Sequence, residues 1–285
     1  MRTMIIGSSG QLGTDLCRTL GGGLAPLTHQ DVEISDRASV DAAMDKHRPD
    51  LVVNTAAFNL VDLAEQDPSG AIATNAVGAR NLALACAERD VDLFHVSTDY
   101  VFDGDKGSPY DEDDLPGPLN VYGTTKLAGE HFVRALAPRW YIARTTGLFG
   151  IAGSLPGKRN FVETMLRLAN DGRDIKVVSD QRVSPTYTYD LALAMGRLIE
   201  KKAYGLYHIT NAGSCSWYEF ARAIFEETGL APNLSETTSA AFAAPAKRPA
   251  YSVLANDALA RAGVPRLRSW REGLHAYLVE RGAAK

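Results

Sequence analysis

The chain has 285 residues, 45% of them hydrophobic and 22% charged, which excludes a disordered polymer and leaves material for a large core. Its 30 Lys plus Arg against 34 Asp plus Glu give a net charge of −4, with no long basic run, so a nucleic-acid partner held through phosphate charge is not expected. Cys17, Cys86 and Cys215 are odd in number and far apart, which argues against a disulfide framework or a Cys-rich zinc site and for a reducing compartment.

Residues 4–6 form a short apolar run that leads at once into glycines, and 11–20 follow at helical spacing. No charged and apolar leader pattern precedes that run, so no secretory leader is expected. Residues 24–27 read as a second strand, and Ser35 and Asp36 are placed to cap a helix through about residue 47. Residues 51–53 are continuously apolar, the mark of a strand buried on both faces. A helix is expected over 71–89, a strand at 93–96, a helix over 121–136 and a strand at 141–143. Strands alternating with helices of this length predict right-handed crossovers and a doubly wound parallel sheet.

Beyond residue 150 the pattern is less regular. Helices are expected over 161–169, 191–201, from Ser216 through 227 and over 270–279, with strands at 175–178 and 207–209. The Ala/Thr/Pro-rich stretch 235–249 shows no periodicity. No apolar run is long enough to span a bilayer, so neither a membrane partner nor a location outside the cytoplasm is expected.

The first strand ends in Gly7-Ser-Ser-Gly10-Gln-Leu-Gly13. A sharp strand-to-helix turn needs glycine, but so does close backbone approach to a pyrophosphate, with the helix N-terminus aimed at the charge. The position, after a strand and before a helix, favours the dinucleotide reading and a Rossmann-type fold. Candidates for the acidic partner of the ribose are Asp31, Glu33 and Asp36. Local charge leans toward NAD without excluding NADP.

Tyr122 and Lys126 stand at i and i+4 on one helix face, and of eleven tyrosines only Tyr122 has this lysine. A phenol has a pKa of about 10, which a neighbouring ammonium lowers. Ser97 and Thr98 close the fourth strand, at the sheet end where ligands bind, and a hydroxyl there can hold a carbonyl oxygen beside Tyr122.

With these motifs the sequence resembles the extended short-chain dehydrogenase/reductases, and within them the dTDP-4-dehydrorhamnose reductase family. The resemblance covers almost the whole chain. It rests on Gly-Gln-Leu-Gly at 10–13, Arg-Pro-Asp-Leu-Val-Val-Asn at 48–54 and Val-Asp-Leu-Ala-Glu at 61–65. It rests further on Ser-Thr-Asp-Tyr-Val-Phe-Asp-Gly at 97–104, Tyr-Gly-Thr-Thr-Lys at 122–126, Asp-Gln at 180–181, Pro-Thr-Tyr at 185–187 and Lys-Arg-Pro-Ala-Tyr-Ser at 247–252. It implies NADPH or NADH as cofactor, a dTDP-sugar as substrate, and reduction of the C4 ketone of dTDP-4-dehydro-L-rhamnose to dTDP-L-rhamnose. It also implies that Gly10, Gln11 and Leu12 line the pyrophosphate, in the cofactor-binding turn that Gly7 and Gly13 bound, that Glu33 and Ile34 border the adenosine, and that Ala57, Phe58 and Asn59 contact the cofactor. Thr98, Tyr122 and Lys126 would be the catalytic set, the last two also touching the cofactor. Thr98, Asp99, Tyr100 and Arg248 would bind substrate, Arg248 at the diphosphate, where it has few obvious carboxylate partners in sequence. Residues 1–150, with about 175–210 returning to them, would form the NAD(P)-binding Rossmann domain, and 151–285 mainly a substrate-binding lobe. Two departures stand out: Asn59 where the family commonly has Thr, and Gly147 where it commonly has Trp. The second implies a roomier sugar pocket unless another ring fills it, Phe149 and Trp140 being the nearest in sequence.

The six histidines show no metal-ligand spacing, so no metal is expected. The acidic run 111–114 reads as a solvated loop, and Trp217, Phe220 and Trp270 as core. The alternatives to this reductase are a reductase of another 4-ketosugar nucleotide, an epimerase or dehydratase of the same fold, and a non-catalytic protein resembling the regulatory β-subunit of methionine adenosyltransferase. A monomer or weak, metal-independent homodimer is expected.

Overall fold

The computed structural model describes residues 1–284. Its central sheet holds β1 (Arg2–Ile6), β2 (Gly23–Leu27), β3 (Leu51–Asn54), β4 (Asp92–Thr98), β5 (Trp140–Thr145) and β6 (Gly205–His208). They lie in the order β6-β5-β4-β3-β1-β2, every neighbouring pair parallel. The longer helices are α1 (Gln11–Thr19), α2 (Arg37–His47), α3 (Ala79–Arg89), α4 (Val121–Leu136), α5 (Phe161–Asn170), α6 (Thr188–Lys201), α7 (Trp217–Thr228) and α8 (Trp270–Arg281). Among the described residues no helix is long and apolar enough to cross a membrane.

The period of two along each strand sorts side chains into two cores. Met4, Ile6, Val52, Leu93 and Ile142 face α2, α3 and α4. Ile5, Leu51, Val53, Phe94 and Tyr141 face α1 and α6. Covering both faces is what the unbroken apolar strands demand, at about 1.5–3 kcal/mol for each fully buried large side chain. Phe149, Val162, Phe220, Ile224, Leu274 and Tyr277 form a third core that joins α5, α7 and α8.

Three details depart from the expected elements. The helix expected over 71–89 opens into wider π-helical turns at Ile72–Gly78 before α3. Asn75 in those turns accepts from Phe58 N (2.9 Å), and its amide donates to Phe58 O and to Thr125 Oγ1 (both 3.1 Å). Helix α6 begins at Thr188, earlier than expected, because its polar first turn is held by side-chain partners: Thr188 by Asp15, and Asp190 by Asn211 and Arg268. The aperiodic 235–249 stretch overlaps strand Leu234–Thr237, which pairs with Ile175–Val178. That strand lies half-exposed, so its sequence carries no apolar alternation.

Candidate active site

A cleft of about 680 Å³ opens across the C-terminal ends of β1, β3, β4 and β5. Strand order reverses where β1 and β3 lie side by side, the place where open α/β sheets take their ligands.

The glycine loop forms one wall. Gly7 has φ +80°, and a Cβ there would lie 2.7 Å from Thr55 Oγ1 and 3.0 Å from Ala56 N. A Cβ on Gly13 would fall 2.3 Å from Gly7 O, so the turn closes only without side chains at both ends. Gly10 precedes α1 and offers no side-chain cap, which leaves the first N–H groups of the helix without side-chain partners. Gly7, Gly10, Gln11, Leu12 and Gly13 all line the cleft. The Gln11 carbonyl is committed elsewhere, accepting from Gly150 N and Asn160 Nδ2, both at 2.9 Å.

Glu33 and Ile34 line the far end with His29 and Val32. Of the three carboxylates weighed for the ribose, Glu33 alone faces the cleft. Asp31 is turned to Thr28 N and Oγ1 (2.8 and 2.7 Å), and Asp36 caps α2 through Ala38 N (3.0 Å). Glu33 itself accepts from Ser35 N and Oγ (2.9 and 2.7 Å), which holds its carboxyl below the usual range. Ala57, Phe58 and Asn59 continue the wall after β3.

Thr98, Tyr122 and Lys126 meet in this cleft, with Asp99 and Tyr100. Asn120 caps α4 by accepting from Gly123 N (2.8 Å) and sets the register of Tyr122 and Lys126. A Cβ on Gly123 would lie 2.1 Å from Tyr100 O, so this glycine lets the helix press against the β4 end. The Tyr100 and Tyr122 rings then meet edge-on, with centroids 5.8 Å apart.

Burial pushes the Tyr122 phenol up to about 12, Asp99 adds to the rise, and the Thr98 hydroxyl works against it. The expected lowering by Lys126 is absent, because the ammonium is turned to Val96 O at 2.6 Å. Burial brings Lys126 itself down to about 8, against the pull of Glu130. Asp99 is 2% exposed, and burial lifts its carboxyl to about 6, partly offset by the hydroxyls of Ser252, Thr146 and Thr98. Thr98 Oγ1 donates to Asp99 Oδ1 (3.0 Å) and Thr146 Oγ1 to Oδ2 (2.8 Å).

Below Lys126 lies a buried ion pair. Arg144 Nε and Nη2 donate to Glu130 Oε1 and Oε2 at 2.9 and 2.7 Å, and Ser97 Oγ donates to Oε1 at 2.6 Å. Ser97 therefore serves α4 rather than the cleft's reacting end, although it contributes to the lining. His95 accepts from Asn54 Nδ2 across 3.1 Å, and burial and Lys126 hold it neutral.

The expectation that Arg248 lacks a carboxylate partner is corrected: Nη1 and Nη2 donate to Asp62 at 3.1 and 2.9 Å, a residue 186 positions away. The acidic run is corrected too. The Glu112 side chain is 5% exposed and accepts from His208 N (3.0 Å) at the sheet edge and from Ala258 N (3.2 Å), so it is a structural anchor, not a solvated charge.

Gly147 has φ +57°, and a Cβ there would meet Pro185 Cα at 3.2 Å and the Trp217 ring at 3.6 Å. Trp217 lines the cleft, contrary to its assignment as core. Neither of the rings nearest to Gly147 in sequence does: Phe149 is packed among Tyr187, Phe220 and Tyr277, and Trp140 sits at the opposite end of β5. Trp217, Thr146 and Glu130 are the site residues that the sequence reading missed. The capping Ser216-x-x-Glu219 placed Trp217 on a helix start, but nothing local placed that start at the cleft.

Comparisons with known proteins agree on one lineage. The family pattern described as the RmlD substrate binding domain matches residues 1–282. The spore coat polysaccharide biosynthesis protein SpsK of Bacillus subtilis is 43% identical over 99% of each chain. The dTDP-4-dehydrorhamnose reductase of Streptomyces griseus is 42% identical over 96% of this chain and 91% of its own. A crystal structure of dTDP-4-dehydrorhamnose reductase from Bacillus anthracis in complex with NADP superposes with a TM-score of 0.94 at 39% identity, covering 98% of this chain and 99% of that one.

Proposed function

The chain belongs to the RmlD substrate-binding-domain family of dTDP-4-dehydrorhamnose reductases, and from that premise we propose how its cleft works. The activity is NAD(P)H-dependent reduction of the C4 ketone of dTDP-4-dehydro-L-rhamnose to dTDP-L-rhamnose. The observation that carries the assignment of roles is one cleft that joins a side-chain-free glycine cradle to Thr98, Tyr122 and Lys126.

The cradle fits a dinucleotide: the backbone lies bare where a pyrophosphate would approach, and the first N–H groups of α1 have no side-chain partner. Glu33 and Ile34 would border the adenosine, and Ala57, Phe58 and Asn59 would flank the body of the cofactor. Bound NAD(P)H supplies the hydride to the carbonyl carbon. Tyr122 keeps its proton through neutral pH and releases it from Oη to the ketone oxygen as negative charge develops there. Thr98 turns its hydroxyl from Asp99 to the same oxygen. The buried Lys126 ammonium, with N–H groups left beyond the bond to Val96 O, would hold a ribose hydroxyl of the cofactor. Asp99 and Tyr100 meet the sugar. Arg248, held in place by Asp62, would meet the diphosphate. Residues 1–150, with 175–210, act as the cofactor domain, and the remainder as substrate lobe.

The test is turnover. Purified enzyme should consume one NAD(P)H per dTDP-4-dehydro-L-rhamnose and act more slowly on close 4-keto analogues. No consumption with this sugar, alongside efficient turnover of an analogue, would replace the substrate. Gly10→Val should abolish NAD(P)H binding in a fluorescence titration and leave the fold intact, since a Cβ at Gly10 approaches only Gly7 O, at 3.2 Å. Retained tight binding would remove the pyrophosphate from this loop.

Asp99 gives a pH prediction. Its folded pKa of about 6 lies above the ordinary 3.8, so the stability it contributes is present below about pH 4 and lost as pH rises through 6. Asp99→Asn should therefore stabilise the protein by about 3 kcal/mol at pH 8 and by less at pH 5. Urea unfolding at both values checks it, and a gain of equal size at each would refute the buried-charge account.

A further inference from the structure

The cleft is built almost wholly by the first half of the chain: among the described residues, Trp217 is the one lining residue beyond position 148. We propose that Trp217 is the platform on which the pyranose ring of the sugar nucleotide rests, and so a residue that sets hexose specificity. The proposal rests on the reductase reading above.

The indole is half-buried and firmly backed. It stands in the first turn of α7, whose start is fixed by the reciprocal Ser216 and Glu219 capping box. Its ring leans on Phe161 at 4.7 Å and on Phe220 at 6.3 Å between centroids. What remains uncovered faces the cleft. Gly147, at positive φ, leaves room for the ring edge, and the next residue back, Thr146, donates to Asp99 beside Thr98. Through Gly147 and Thr146 the ring is joined to the Asp99 and Thr98 end of the cleft.

Chemistry narrows the occupant. A rigid apolar face among hydroxyls and one carboxyl suits a ring with an apolar C–H face and a polar rim, which describes a 6-deoxyhexose. The dinucleotide path runs over the strand ends from the glycine loop to Lys126, all within the first half of the chain. A wall from the second half meets what lies over that path. The thymine, separated from the hexose by a diphosphate, would lie away from Thr98.

Trp217→Ala should raise KM for dTDP-4-dehydro-L-rhamnose about tenfold and weaken binding of the product dTDP-L-rhamnose, read by calorimetry, by a like factor. KM for NADPH should not move, and Trp217→Phe should recover most of the loss. Discrimination between the rhamnose precursor and its 4-keto analogues should narrow in the alanine variant. Unchanged sugar KM and product Kd, or a loss confined to NADPH, would overturn the proposal while wild-type turnover keeps the reductase reading intact. Wild-type enzyme that ignores this sugar would defeat that reading itself, and the hexose platform with it. Loss of both affinities in the alanine variant, with none restored by phenylalanine, would mark Trp217 as a packing residue and also overturn the proposal.

Discussion

Replacing Tyr122 by Phe should lower kcat by about 10²- to 10⁴-fold while the Kd for NAD(P)H stays nearly constant. The variant keeps the ring and its edge-on contact with Tyr100, so α4 has no reason to move. It loses the phenol that stands beside Thr98 and holds its proton firmly at neutral pH. Thr98 remains and can still hydrogen-bond the ketone oxygen, so the variant retains some activity. Single-turnover kinetics with a cofactor titration make the measurement. Near-normal kcat would take the acid role away from Tyr122, and a collapse of cofactor affinity would make the phenol a binding group.

The second large effect concerns stability. Arg144→Met should cost about 3–5 kcal/mol, because it strands a carboxylate in the interior. Arg144 and Glu130 are 2% and 1% exposed, and their two-pronged contact is the main compensation for that burial. After the change Glu130 keeps only the Ser97 hydroxyl and the attraction of Lys126 one turn away. Methionine retains much of the packing volume, which separates the charge effect from a cavity. The double variant Arg144→Met/Glu130→Gln should regain most of the loss in urea unfolding. If it regains nothing, the guanidinium matters through its stacking over Phe102, 5.1 Å from the ring centre, and not through the pair.

What the sequence disclosed followed from how local each constraint is. The glycine turn is a contest for space among residues 7–13, so spacing alone exposes it. Tyr122 and Lys126 share a helix face, and α4 ran over the expected residues because Asn120 and the apolar face are both local signals. Glu130 and Arg144 were invisible because a buried ion pair looks, in sequence, like two surface charges. Arg248 looked unpaired because Asp62 comes from a distant helix that only the folded chain brings near. Trp217 was hidden for the same reason. Its helix start was legible, but its place against Gly147 depends on how the third core docks beside β5.

The return of β6 to the sheet has a consequence for synthesis. Helix α6 covers the face built by Ile5, Val53 and Phe94, and β6 closes the open side of β5, with Glu112 sealing its His208 N–H. A ribosome adding roughly 5–20 residues per second takes about 3–12 s to travel from the end of β5 to the start of β6. Throughout that interval the nascent chain carries an unpaired strand edge and a bare apolar face. The half of the molecule that is made first is thus the half that cannot complete its sheet and core until the later half arrives.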